Sequence, residues 1–189
     1  FSIDQYPKRK KSICTSRTFS KDTNDINYIE QSISNYGARC AEKLRKEKSC
    51  AQYIGVFLNV NRFKNYDNYH NGFRATMFDI ATNDTMKIIE ASKKLLSSIY
   101  KKNIDYKKAG VIIGDIVPEN QVQLNLFNNF KKDLKAKELF KSLDSINRKM
   151  GRGTVKFLAQ GVSTRSKIKQ ENLSPCYTTK WEDILKINC

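Results

Sequence analysis

The run Ala109-Gly110-Val111-Ile112-Ile113-Gly114-Asp115-Ile116-Val117-Pro118 constrains this chain more than any other segment. It is almost continuously apolar, rich in β-branched residues, far too short to cross a membrane, and closed by a proline. It reads as a buried strand. A buried strand must satisfy its backbone groups by pairing, so the remaining chain has to supply a sheet around it.

The preceding segments supply one in a definite order. Residues 11–20 alternate enough to form a first strand, and Asp22 to Asn24 offer side chains that can cap a helix. Ile26, Ile29, Ile33, Tyr36, Cys40 and Leu44 then recur at three- and four-residue steps, which predicts one helical stripe. Gln52 to Val60 is β-branched and aromatic, Asn61 to Gly72 is a polar hairpin connection, and Phe73 to Ile80 is the returning strand. Thr82 or Asp84 can cap a second helix with its stripe on Met86, Ile89, Leu95, Leu96 and Ile99. Closed by Ala109 to Val117, the order is β-α-β-β-α-β, the split βαβ arrangement. The predicted class is α+β: a four-stranded sheet with two helices on one face and the other face open.

Downstream, Leu134, Leu139, Phe140, Leu143, Ile146 and Met150 predict a third amphipathic helix, with Gly151 as its C-terminal cap. Thr154 to Ala159 reads as a short strand, Ser163 to Asn172 as a basic loop, and Trp181 to Ile187 as a closing turn or helix. There is no internal repeat.

Charge narrows the partner. The formal net charge is +16. It is evenly spread, with 21 Lys and Arg against 13 Asp and Glu up to residue 121, and 14 against 6 beyond it. Such an excess points to a polyanion, nucleic acid before an acidic membrane surface; the competing reading is a solvated basic exterior. Cys14, Cys40, Cys50, Cys176 and Cys189 show no CxxC spacing and no pairing with His70, the single histidine. That pattern suggests reduced cytosolic thiols rather than a disulfide frame or a zinc site. The chain opens on Phe without a secretory-type apolar core, and reads as an excised piece of a longer one.

Directly after the apolar run comes Gln123-Leu124-Asn125-Leu126-Phe127. A Gln amide that can anchor by hydrogen bonds, followed by a Leu-Phe pair that can fill an apolar pocket, suits a groove on another protein. The pentapeptide resembles the motif by which bacterial polymerases and repair factors dock on the sliding clamp. Taken alone, it could equally cap the core.

Six segments in order settle the context: Ser12–Phe19 (SICTSRTF), Ala38–Arg45 (ARCAEKLR), Tyr106–Val111 (YKKAGV), Gln123–Phe127 (QLNLF), Gly151–Thr154 (GRGT) and Ser174–Thr179 (SPCYTT). Together they resemble the C-terminal part of the UmuC family, the catalytic subunits of DNA polymerase V among the Y-family translesion polymerases. The resemblance covers nearly the whole chain. It implies a little finger domain over residues 1–120 that lays its sheet along DNA, a clamp-binding linker over 121–130, and a UmuC-type C-terminal extension over 131–189. It further implies primer-template DNA, the β sliding clamp, UmuD′ and RecA as partners, a bacterial cytoplasmic setting with no membrane, and a role in SOS mutagenic repair. In that context clamp docking outweighs core capping.

The chemistry expected of the chain itself is binding. Nucleotidyl transfer needs carboxylates holding two magnesium ions. By resemblance these sit in a palm domain whose motifs do not occur here, so no catalytic residue, metal or cofactor is expected in this chain. Asp79, Asp105 and Asp115 are scattered, His70 has no partner in sequence, and Gly151-Arg152-Gly153 lacks the Gly-Lys-Ser/Thr of a phosphate loop. The expected DNA contacts start with Ser16, Arg17 and Thr18, which offer a guanidinium, two hydroxyls and backbone amides to phosphates. Arg62, Lys64, Arg74, Lys107 and Lys108 extend the track. Two rival functions remain. One is an RNA-recognition module, although Arg74, Ala75 and Thr76 replace the Gly-Phe-Val part of its aromatic motif. The other is a protein-interaction scaffold whose charge serves only solubility.

Overall fold

The tripeptide Thr-Asn-Asp occurs at 23–25 and again at 82–84, and each copy turns a strand into a helix in the same way. Asp25 Oδ1 accepts from the backbone N–H of Asn27 (3.0 Å) and Tyr28 (3.3 Å), while Thr23 Oγ1 accepts from Asp25 N–H. Asp84 Oδ1 accepts from Met86 (2.7 Å) and Lys87 (3.2 Å), with Thr82 Oγ1 beneath it. Each cap satisfies helix donors that have no partner within the helix.

A computed structural model of the chain describes residues 10–61, 63, 71–123, 130–162 and 173–184. Its elements are β1 (Ser12–Thr23), α1 (Ile26–Lys46), β2 (Ser49–Val60), β3 (Gly72–Thr82), α2 (Thr85–Ile99), β4 (Tyr106–Pro118) and α3 (Phe130–Lys149). Short 3₁₀ turns cover Glu119–Gln121, Leu158–Gln160 and Trp181–Asp183. The four strands form one antiparallel sheet in the order β1-β4-β2-β3. The fold is therefore α+β with the expected β-α-β-β-α-β order. β4 is the long apolar run, and it lies between β1 and β2, paired along both edges.

One face of the sheet carries the core. Ala109, Val111 and Ile113 of β4, Ile54, Val56 and Leu58 of β2, and Ile13 and Phe19 of β1 are buried there. Ile29, Ile33, Tyr36, Cys40 and Leu44 of α1 close over them with Ile88, Leu95, Leu96 and Ile99 of α2. The two helices meet closely at Gly37, where an added Cβ would lie 3.2 Å from Ser92 Oγ.

Several local expectations are corrected. β1 continues through Thr23, so Asp25, rather than Asp22 to Asn24, caps α1; Asp22 instead lies 3.2 Å from Lys107 Nζ. Met86 sits in the first turn of α2 and is exposed, and Ile88 takes the core position. Thr154–Ala159 is no strand. The Asn147 amide accepts from Val155 N–H (2.9 Å) and donates to Val155 C=O (3.0 Å), using both groups that a ladder would need. Gly151 follows α3 with φ +103°, a backbone geometry that favours glycine and ends the helix. Of the expected α3 stripe, Phe140 is buried, whereas Leu139, Ile146 and Met150 are exposed. The Ser163–Asn172 loop lies outside the described residues, as do Arg62, Lys64, His70 and Leu124–Phe127.

Candidate nucleic-acid interface

The face of the sheet away from the helices is ordered by register. Paired residues on antiparallel strands project to the same side, so rows can be read across β1, β4, β2 and β3. One row is Ser16, Gly110, Phe57 and Phe73. The next is Cys14, Ile112, Gly55 and Ala75, and the third is Ser12, Gly114, Tyr53 and Met77. The β1 edge is polar, the β3 edge is apolar with Phe73 and Met77 exposed, and glycine recurs in between.

Those glycines level the face. A Cβ on Gly110 would lie 2.3 Å from Phe57 Cζ and 2.6 Å from Ser16 Cβ. On Gly55 it would meet the Phe73 ring at 2.9 Å, and on Gly114 the Tyr53 ring at 3.3 Å. Each aromatic ring therefore lies over a neighbouring glycine instead of standing off the sheet, and the surface stays low enough for another backbone to approach closely. Strand-interior glycines were the sequence signal for this surface, and reading for charge alone misses Tyr53, Phe57 and Phe73.

Of the charged and hydroxyl residues expected to bind DNA, the structure brings some together and separates others. Thr18 pairs directly with Lys108, which also pairs with Asn59, so Ser16, Thr18 and Lys108 share the open face. The Lys108 ammonium stands over the Phe57 ring, 6.0 Å from its centroid. Arg17 pairs with Ala109 and Arg74 with Val56, partners whose side chains are in the core, so both arginines project from the helix side. Lys107 falls at the irregularity between the Asn59–Lys108 and Val60–Tyr106 pairs, and its ammonium is paired with Asp22. Gln123 is exposed just beyond the turn that follows β4.

On the helix side, the segment after β4 returns to pack on α1. Arg45 donates to both Asp144 carboxylate oxygens, at 2.7 and 2.9 Å, and to Asn83 C=O and Thr85 Oγ1. Its guanidinium also covers the Phe140 ring at 4.9 Å. Farther along, Asn35 and Gln160 exchange hydrogen bonds. Burial pushes the Cys40 thiol up to about 11 and the Tyr36 hydroxyl up to about 12. Both remain protonated at neutral pH, and neither offers a nucleophile. Among the described residues, no group of His, Cys, Asp or Glu is placed to hold a metal ion, and no helix is long and apolar enough to cross a membrane.

The model for the impB/mucB/samB family C-terminal domain matches residues 10–126. The chain belongs to the impB/mucB/samB family. A second model, for a domain of unknown function, matches residues 137–187. Protein UmuC of Salmonella typhimurium is 34% identical over 98% of this chain and 44% of its own length. Protein SamB of Salmonella typhimurium is 33% identical over 97% of this chain and 43% of its own. Protein MucB of Escherichia coli is 32% identical over 97% of this chain and 43% of its own. The chain thus spans less than half the length of these relatives. Among solved structures, a complex of the β-clamp processivity factor and the little finger domain of PolIV covers 62% of this chain and 99% of the matched chain, with 15% identity and a TM-score of 0.42.

Proposed function

We propose that this chain is the DNA-binding and clamp-docking part of a Y-family translesion polymerase, with the nucleotidyl-transfer site elsewhere in the parent protein. The observation that carries the reading is the levelled open face, with Ser16 and Thr18 on its β1 edge and Lys108 next to Thr18 on β4, in a member of the impB/mucB/samB family. Two hydroxyls on the β1 edge and an ammonium on the adjacent strand suit phosphates, which position a protein on DNA without reading its sequence. Low relief in the middle lets the sheet lie along primer-template DNA. Arg62 and Lys64 would extend this track from the hairpin, while Arg17, Arg74 and Lys107 would reach DNA only around an edge. Gln123 to Phe127, leaving the end of β4, would tether the polymerase to a β sliding clamp, with the Gln123 amide as anchor and Leu126 and Phe127 in a pocket. The parent would act in SOS mutagenic repair in the bacterial cytoplasm, with UmuD′ and a RecA filament.

One binding assay with two arms tests this. With labelled primer-template duplex, Lys108→Ala is expected to flatten the log–log salt dependence by about one unit, as loss of one phosphate contact does. With purified β clamp, Gln123→Ala and Leu126→Ala/Phe127→Ala are expected to weaken binding, the second by about 2 kcal/mol or more. Equal clamp affinity for all three proteins removes the docking claim. A stronger preference for single-stranded RNA would replace the DNA reading, and clamp binding without any DNA binding at low salt would leave a scaffold.

A further inference from the structure

On the helix side of the sheet, β1, α1 and the segment after α3 enclose a groove of about 290 Å3. Its walls carry Arg17, Arg39, Arg45, Arg152 and Lys156. Two of these cations are neutralised within the groove, Arg39 by Glu42 and Arg45 by Asp144. Among the described residues, no ion pair reaches Arg17, Arg152 or Lys156, so the groove keeps three unneutralised cations on facing walls. Arg17 comes from β1, and the other two come from the loop that Gly151 and Gly153, both at positive φ, bend back toward α1. Lys156 lies against Gly153, its Cε 2.8 Å from where a Cβ would stand. Tyr36, which also lines the groove, holds its proton throughout the physiological range and can only donate to an anion.

We infer that this groove holds the phosphodiester backbone of a single nucleic-acid strand, at a site separate from the open sheet face. Unneutralised cations from β1 on one side and from the loop carrying Arg152 and Lys156 on the other match successive phosphates better than one compact anion. The lining sets these cations beside the amides of Asn35, Asn147 and Gln160 and the apolar side chains of Leu143, Val155 and Phe157, so charged oxygens and the sugar carbons of a backbone both find partners. Arg17 thereby acquires a role that its position off the open face would otherwise deny it. The inference rests on the reading that the chain binds DNA.

Arg152 and Lys156 are exposed, so replacing them leaves the core intact. Binding of a labelled oligothymidylate by the 189-residue chain is measured across a salt series, for the wild type and for Arg152→Ala/Lys156→Ala. Removing two strand contacts is expected to lower the salt slope by about 1.4 units. An unaltered slope in the double variant, with the wild type still binding, overturns the groove alone. A wild type that binds no DNA overturns both the groove and the sheet-face reading. Displacement of the oligonucleotide at matched ionic strength by inorganic phosphate or poly-glutamate, as effectively as by unlabelled oligothymidylate, overturns the assignment to a strand.

Discussion

Gly110 sets the height of the open face. With Phe57 Cζ 2.3 Å and Ser16 Cβ 2.6 Å from its would-be Cβ, even one methyl has no room on a paired central strand. Gly110→Ala is therefore expected to destabilise the domain by about 1 to 3 kcal/mol, read as a lower denaturant midpoint. If the clash with Phe57 is the cause, Phe57→Ala in the same chain should cost less in the Gly110→Ala background than alone. Additive losses would mean that Gly110 matters for some other reason. The glycines were visible in the sequence, but their meaning was not, because the residue across the ladder is fixed by register and register is a long-range fact. Arg17 shows the same limit. Its hydroxyl neighbours advertised a phosphate site, yet a period of two sends Ser16 and Thr18 to one face and Arg17 to the other.

At the scale of elements, the sequence was far more informative. Both stripes that became α1 and α2 were legible because helical periodicity is local and the core demands it. The four strands were legible for the same reason. Boundaries slipped where side-chain chemistry decides them, as at Asp25, one residue beyond the expected caps. Asp84 was identifiable, and its carboxylate accepts two backbone donors of α2. Asp84→Ala should cost about 1 kcal/mol in unfolding free energy, while Asp84→Asn, which keeps the accepting oxygen, should lose much less. Equal losses in the two variants would indicate that the charge at the helix start, rather than the cap bond, is responsible. Val155 is the opposite case. Its surroundings suggested a strand until the Asn147 amide claimed both of its backbone groups, a contact spanning eight residues that no periodicity records.

At the scale of the whole molecule, the docking of the extension was the least legible feature. An amphipathic α3 suggested apolar burial, but Leu139, Ile146 and Met150 remain exposed, and the attachment runs through Phe140 and polar groups on α1. Arg45 is the centre of that attachment. It joins α1 to the start of α2 through Asn83 and Thr85, and to α3 through Asp144 and Phe140. The side chains of Arg45 and Asp144 are only 13% and 19% exposed, so a partner left alone there keeps a poorly hydrated charge. Asp144→Ala should therefore loosen the extension at a cost of about 2 to 3 kcal/mol, less than for a fully buried pair because some water contact persists. The α2 contacts of Arg45 do not involve Asp144, so the sheet and the first two helices should hold. Amide hydrogen exchange separates the outcomes: protection over residues 138–160 should fall while β2 and β4 stay protected. Unchanged protection over 138–160 would mean that Phe140 and the Asn35–Gln160 bonds hold the extension without the ion pair. Loss across the sheet as well would make the extension part of one cooperative unit with the domain it covers.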